Sequence, residues 1–298
     1  MTKKLVDEAM LMNNATFVNY LNRLKVLSTS IFHWKNLDKV CGYGAERFLE
    51  DNLYEYGRAC FVNDDEIGLK TFRANPRDKL NIYNLPTKIQ ATALGYNKPY
   101  DLNDIVYIMN NSLTMPTRDT IFHIAYKLYE IERTEYVNLI AQKTPVLIEG
   151  PNKSQLTLKN LYMQYSGNTP FIFGNKDFEL NNHLNVLKTE APYLLDKLNL
   201  YKREVWSEAL TYLGIDNFFT SKKERVVTDE VKSNDDLTSY YLNVFYKPRQ
   251  EACDLFNEKF KNEAGFMPIS LTVNKEAIAQ LKDEMGEKEV EKTEAENE

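Results

Sequence analysis

Residues 116–142 read PTRDTIFHIAYKLYEIERTEYVNLIAQ, and this stretch decides the fold class. Pro116 opens it, and proline suits a first helical turn because its missing N–H would have no partner there. No Gly or Pro interrupts the run as far as Gln142. Its apolar residues fall in two stripes at helical spacing. One is Ile121, Ile124, Leu128 and Ile131; the other is Phe122, Tyr126, Tyr129, Tyr136 and Ile140. A helix that is apolar on two faces needs neighbours on two sides. A packed core supplies them, and so does a ring in which each subunit's helix lies between its neighbours.

Downstream, shorter elements are expected: a strand at Val146–Ile148, a short helix near Leu156–Tyr165, and strands at Phe171–Phe173 and Val186–Lys188. A second long helix follows, with Pro192 near its start and Gly214 where a C-terminal cap belongs. Leu194, Leu198, Tyr201, Val205 and Leu213 mark one face of it. At about 1.5 Å per residue it spans roughly 33 Å, so the two long helices make an antiparallel pair around a compact β-containing insertion. Asp216–Asp236 has neither helical nor strand period over much of its length and reads as a charged loop. Another amphipathic helix is expected over about Thr238–Asn262. Upstream, helical spacing runs from Lys4 to about Trp34 and again from Gly44 to Tyr56. Between them and the long helix, residues 57–112 are broken by Pro76, Pro86 and Pro99. They hold β-like runs at Ile89–Leu94 and Ile105–Ile108, which suggests a small, partly β subdomain. The fold class is therefore mainly α with smaller β elements (α+β).

Composition narrows the function. The 19 Tyr and 15 Phe against 11 Gly suit either partly buried subunit surfaces or simply a tyrosine-rich core. Much of the net charge of −6 lies in Lys282–Glu298, an aromatic-free acidic tail expected to be disordered. The body is close to neutral, so contact with nucleic acid must be local or weak. Cys41, Cys60 and Cys253 have no metal-ligand spacing and read as buried free thiols of a reducing compartment. Met1–Met12 lacks the apolar core of a signal peptide, and no apolar run reaches the length of a membrane span.

Catalytic motifs fail on inspection. Gly42-Tyr-Gly-Ala-Glu-Arg47 lacks the third glycine and preceding strand of a dinucleotide fingerprint. Glu149-Gly-Pro-Asn-Lys-Ser154 has Asn152 where a phosphate loop needs glycine. His33, His123 and His183 have no ligand or base partner at useful spacing, and the first two read as helix residues. Asp64-Asp65 and Asp235-Asp236 read as turn or cap residues. No catalytic residue, metal site or cofactor is expected. The charged loop offers Lys222, Lys223, Arg225 and Lys232; it reads either as a solvated insertion or as a flexible segment that touches a polyanion.

Several runs in order carry a resemblance. They include Ala141-Gln-Lys-Thr-Pro-Val-Leu-Ile148, Gln164-Tyr-Ser-Gly-Asn-Thr-Pro170, Lys188-Thr-Glu-Ala-Pro-Tyr193 with Asp196-Lys-Leu-Asn199, and Thr211-Tyr-Leu-Gly-Ile215. Lys222-Lys-Glu-Arg-Val-Val-Thr-Asp-Glu-Val231, Asn234-Asp235 and Glu251-Ala-Cys253 extend them. Weaker matches lie at Trp34-Lys-Asn-Leu37 and from Asn110-Asn111 to Pro116-Thr117. In these runs, densest over 141–253, the chain resembles the portal proteins (connectors, or upper collar proteins) of small short-tailed phages that package linear double-stranded DNA with protein-primed ends.

The resemblance implies a homododecameric ring with a portal fold. Residues 1–116 would form a wing, 117–142 and 189–214 stem helices, 143–188 a clip, 215–236 a channel loop, and 237–281 the C-terminal part of the wing. Lys188 and Lys197 match two family lysines that ring the channel wall, and Lys222, Lys223, Arg225 and Lys232 would hang into the channel. Implied partners are further copies of the chain, transient non-specific double-stranded DNA, the major capsid and scaffolding proteins, the lower collar or tail protein, and the packaging ATPase. No membrane partner is implied. The implied location is the head–tail junction of the virion, with host cytoplasm during assembly. One departure stands out: the family's best-studied type has a strongly basic N-terminal arm, whereas this chain offers only Lys3 and Lys4. A packaging RNA is therefore left open as a partner. The competing function is a non-ring DNA- or RNA-binding accessory protein, which would bind free duplex with strong salt dependence.

Overall fold

The structure is a computed structural model that describes residues 2–142, 146–148, 184–186, 192–215, 228–263 and 265–274. It divides into two compact units. The first joins residues 1–129 to 202–298; the second comprises 130–201.

The first unit begins with helix α1, Thr2–Ser30, whose buried Tyr20, Leu24 and Leu27 follow the expected spacing. The helix stops short of Trp34. Strand β1, Phe32–Lys35, takes over with strictly alternating burial, so His33 lies on a strand and not a helix. The reason is a distant partner: β1 pairs antiparallel with β9, Ser270–Val273, in the register Trp34↔Leu271. Asn36, in the left-handed region at φ 68°, turns the chain into the short helix α2, Leu37–Cys41. Helix α3, Ala45–Tyr56, follows. The Asp38 carboxylate accepts from the Gly44 and Glu46 amides at 3.1 and 2.9 Å and so satisfies free donors at the α3 N-terminus.

Gly57 ends α3 at φ 73°, and a Cβ there would lie 2.1 Å from the Thr114 carbonyl oxygen. Only glycine fits both the backbone and the space. The expected β subdomain is a five-stranded antiparallel sheet in the order β5-β4-β3-β2-β6. Its strands are β2 (Arg58–Asp64), β3 (Gly68–Leu80), β4 (Pro86–Ala93), β5 (Tyr96–Asp101) and β6 (Val106–Met109). Alternation sends Cys60, Val62, Phe72, Ala74, Ile89 and Ala91 to one face, where Tyr96, Tyr100 and Tyr107 close over them. Phe61 points the other way, 6.0 Å from Trp34 and 4.8 Å from Phe256 between ring centres.

The long helix α4, Arg118–Gln142, forms two residues after Pro116. Its counterpart α5 spans Leu195–Tyr212 and is closed by a Schellman turn. There the Ile215 amide donates to Leu210 O at 2.9 Å and the Gly214 amide to Thr211 O at 3.0 Å. Helix α6 runs Thr228–Phe260. It overturns part of the expected loop: residues 228–236 are helical, and Asp235-Asp236 lie inside a helix instead of a turn. Asp229 and Glu230 favour that helix start, because carboxylates there oppose the positive end of the helix dipole. After α6, the Asn257 side chain accepts from Ile269 N at 2.9 Å and donates to Ile269 O at 2.8 Å, guiding the chain back into β9.

The second unit contains the distal parts of α4 and α5 and a two-stranded ladder, β7 (Val146–Ile148) with β8 (Leu184–Val186). The ladder strand near residue 186 thus lies two residues before the one expected. Asn138 is buried in this unit; its amide donates to Pro192 O at 2.9 Å and its Oδ1 accepts from Leu194 N at 3.2 Å. The helix expected near Leu156–Tyr165 and the strand at Phe171–Phe173 lie outside the described residues.

Candidate functional site

The two stripes of α4 differ in burial, with Tyr129 of the second half-buried and the side chain of Ile140 outside the described ones. Ile121, Ile124, Leu128 and Ile131 are buried. Phe122, Tyr126 and Tyr136 keep about half or more of their surface exposed. In the first unit Phe17 of α1 packs on this second face, meeting Phe122 edge-on at 5.1 Å and Tyr129 at 6.2 Å. In the second unit, Tyr136, Val137 and Leu139 are exposed on α4, as are Tyr193, Leu200 and Tyr201 near or on α5.

The charges on these helices nearly cancel. α4 has Arg118, Lys127 and Arg133 against Asp119, Glu130, Glu132 and Glu135; α5 has Lys197, Lys202 and Arg203 against Asp196, Glu204 and Glu208. Some are tied within the chain: Lys127 Nζ lies 3.1 Å from the Glu208 carboxylate, and Lys202 and Arg203's neighbour Trp206 face α1, with Lys202 over the Tyr20 ring and Arg23 over that of Trp206. Such a surface gives a polyanion little net attraction.

Of the six basic residues expected at a channel, Lys197 is exposed in the first turn of α5. Lys232 belongs to the second turn of α6. Lys188, Lys222, Lys223 and Arg225 lie outside the described residues. The two described ones belong to different units, Lys197 to the second and Lys232 to the first.

The structure does assemble a site that sequence reading missed. Arg249, from the middle of α6, is buried and pairs with the buried Glu50 of α3 at 2.8 Å. All of its donors are used. Nε bonds Glu50; Nη1 bonds the Asn110 and Phe245 carbonyls at 3.3 and 2.9 Å; Nη2 bonds Glu50 and Asn110 Oδ1. Trp34 Nε1 donates to Glu50 at 2.8 Å, and Asn110 Nδ2 donates to Thr117 Oγ1 at 2.8 Å and to Met115 O. The guanidinium also lies over the Phe32 ring. One network thus joins β1, α3, the end of β6, the start of α4 and α6. Trp34, Asn110 and Thr117 are all in the weaker resembling stretches, so those stretches meet in space. The remaining signal was a charged pair, Glu50 and Arg249, among apolar residues at helical spacing.

Burial disfavours the thiolate form of all three cysteines. Burial pushes Cys41 up to about 12 and Cys253 up to about 11, and raises Cys60 further. All three are free. Among the described residues no group of His, Cys, Asp and Glu could hold a metal, and no helix is long and apolar enough to cross a membrane.

The described residues thus combine half-exposed aromatic side chains on α4, nearly balanced charge on the two long helices and a buried polar network that joins five elements. The family model described as Phage Connector (GP10) matches residues 3–268, and the chain belongs to that family. It is a portal protein: a ring-forming head–tail connector of the virion, involved in DNA packaging and ejection, structural and not catalytic. Three solved structures are similar to it. One is the portal and tail of native bacteriophage P68, at 17% identity over 96% of this chain and 97% of that one, with a TM-score of 0.47. Another is a chain in the virion of a native gene transfer agent particle, at 12% identity over 90% and 83% of the two chains and a TM-score of 0.45. The third is an HK97 family phage portal protein from Corynebacterium diphtheriae, at 12% identity over 90% and 97% and a TM-score of 0.44.

Proposed function

We propose that the chain forms a homododecameric ring in a small short-tailed phage with a protein-primed linear genome, and that α4 and α5 are its stem. The exposed second face of α4 carries this reading. Phe122, Tyr126 and Tyr136 complete a helix whose first face is already buried, and a neighbouring subunit is what a ring supplies for the second. Residues 143–188 form the clip, and the N-terminal and C-terminal regions the wing. Lys188 and Lys197 form basic rings that relieve repulsion along a channel of nearly neutral wall, while Lys222, Lys223, Arg225 and Lys232 act from the loop and its helical exit. Contact with DNA is to phosphates, carries no base information, and stays weak enough for the duplex to slide. The ring docks the packaging ATPase, nucleates capsid and scaffolding proteins in the host cytoplasm, and receives the lower collar or tail protein.

Native mass spectrometry and electron microscopy of the purified protein test the ring and count its subunits. Twelvefold rings are expected; another closed number would correct the stoichiometry, and a stable monomer at high concentration would refute the stem reading. Deleting residues 218–227, which spares α6, should leave rings intact and impair retention of packaged DNA. Loss of assembly would make the segment structural instead.

A further inference from the structure

The sheet carries two exposed apolar features, one at each end. In an antiparallel meander, successive turns fall at opposite ends. The β2–β3 and β4–β5 turns therefore share one end of the sheet, and the β3–β4 turn lies at the other. At the first end is an open groove of about 690 Å³ walled by Phe48, Ile67, Phe72 and Tyr96. On its rim, Tyr43 is 102% exposed and Leu94 105% exposed. At the second end, Ile82 and Tyr83 are 87% and 76% exposed on the tip of the β3–β4 hairpin. The eight residues of β4 separate the two features by about 26 Å, at about 3.3 Å per residue.

The tip is held in a fixed shape. Asn81 Oδ1 accepts from the Tyr83 and Leu85 amides at 2.9 and 3.0 Å, and Asn81 N donates to Leu85 O at 2.8 Å. A rigid turn that holds two large apolar side chains in water is an unfavourable surface unless something covers it. The charges at the two ends are opposite in sign. At the hairpin end, Arg77, Lys79 and Lys88 outnumber Asp78 and, across from Lys88 at the end of β5, Asp101. At the groove end, Asp64, Asp65, Glu66 and Asp38 outnumber Lys98, Arg47 and Lys70.

We infer that the β3–β4 hairpin tip of one subunit seats in the Tyr43–Leu94 groove of the next subunit in the ring. Two different, complementary surfaces at opposite ends of one rigid sheet make a head-to-tail contact, which is the kind that closes a ring; a two-fold contact would need one self-complementary patch. The apolar tip supplies the attraction, and the weak charge difference sets its direction. This rests on the chain assembling as a ring and names a contact that holds it, apart from the α4 face.

The test is directed cross-linking. Tyr83→Cys and Leu94→Cys are made singly and together, both at exposed turns where the fold is undemanding, and the native thiols are buried. Rings are first verified for the parent and for each variant by electron microscopy, then treated with a short bis-maleimide. The double variant should give a ladder of covalent oligomers in denaturing gels, with at least ten times the dimer seen for either single variant. Intact rings that yield no ladder overturn the hairpin contact while leaving the ring itself standing. Dimers from a single variant in amounts comparable to those from the double also overturn it, because they would mark a two-fold contact. Absence of rings in the parent protein refutes the ring reading instead. As a second measurement, Tyr83→Asp in a monomer with unchanged circular dichroism should weaken assembly at least tenfold in concentration; unchanged assembly counts against the contact.

Discussion

Replacing Arg249 with methionine should cost about 3–5 kcal/mol of stability, the usual penalty for removing one partner of a buried ion pair. The structure gives no reason to discount that figure for solvent screening, since the Arg249 and Glu50 side chains are 4% and 3% exposed. Methionine keeps most of the aliphatic stem but deletes every donor. Glu50 then retains only the Trp34 indole among the side-chain donors described, and Asn110 Oδ1 loses the Nη2 donor that it holds at 3.0 Å. Glu50→Leu should cost a similar amount by stranding the guanidinium. The double variant should cost no more than either single one, giving a coupling of about 3–5 kcal/mol in a double-mutant cycle. Urea unfolding followed by circular dichroism reads the cost, at one fixed protein concentration because assembly itself adds stability. Trp34 and Trp206 are the two tryptophans, so a Trp206→Phe background makes Trp34 a local reporter of the same network. Strict additivity, or a single-variant cost below about 1 kcal/mol, would refute the view that the network ties these five elements together.

Gly57→Ala should destabilise the protein by more than about 1 kcal/mol, because φ 73° and the Thr114 carbonyl both oppose a Cβ; an unchanged urea midpoint would contradict this. Hydrogen bonds from Tyr96, Lys98 and Tyr100 hold the Asp64 carboxyl well below the usual carboxylate range. Its folded value is depressed, so the stability it adds is complete above that range and is lost as pH falls through it. Asp64→Asn should therefore flatten the fall in urea midpoint between about pH 5 and pH 2, a range set by ordinary carboxylates, and parallel profiles would count against it. At pH 8, a thiol reagent should find none of the three cysteines quickly in the native protein and all of them in denaturant. A thiol reacting within seconds in the native state would show that a core site opens.

The helices were legible because their signals are local. Pro116, the two stripes of α4, and Gly214 each act within a few residues, and the structure reproduces the helix and its cap nearly to the residue. The charged loop is shorter than its sequence suggests for the same reason: Thr228–Asp236 has no apolar stripe, and its helix continues from the well-packed α6 core behind it. The local pattern around His33 is helical, and it cannot reveal a strand partner 239 residues away at Thr272.

The sequence by itself determined the helix-dominated class, the near-neutral charge and the presence of a second apolar face on α4. Those follow from periodicity and composition, which are properties of neighbouring residues. Only the tertiary structure decided which face of α4 is buried and which stays partly exposed, and how Glu50 finds Arg249 across 199 positions of chain. It alone placed the hairpin tip and the groove at opposite ends of one sheet. The physical reason is the same for each: burial of a charge or exposure of an aromatic becomes defined only when distant segments have chosen their partners.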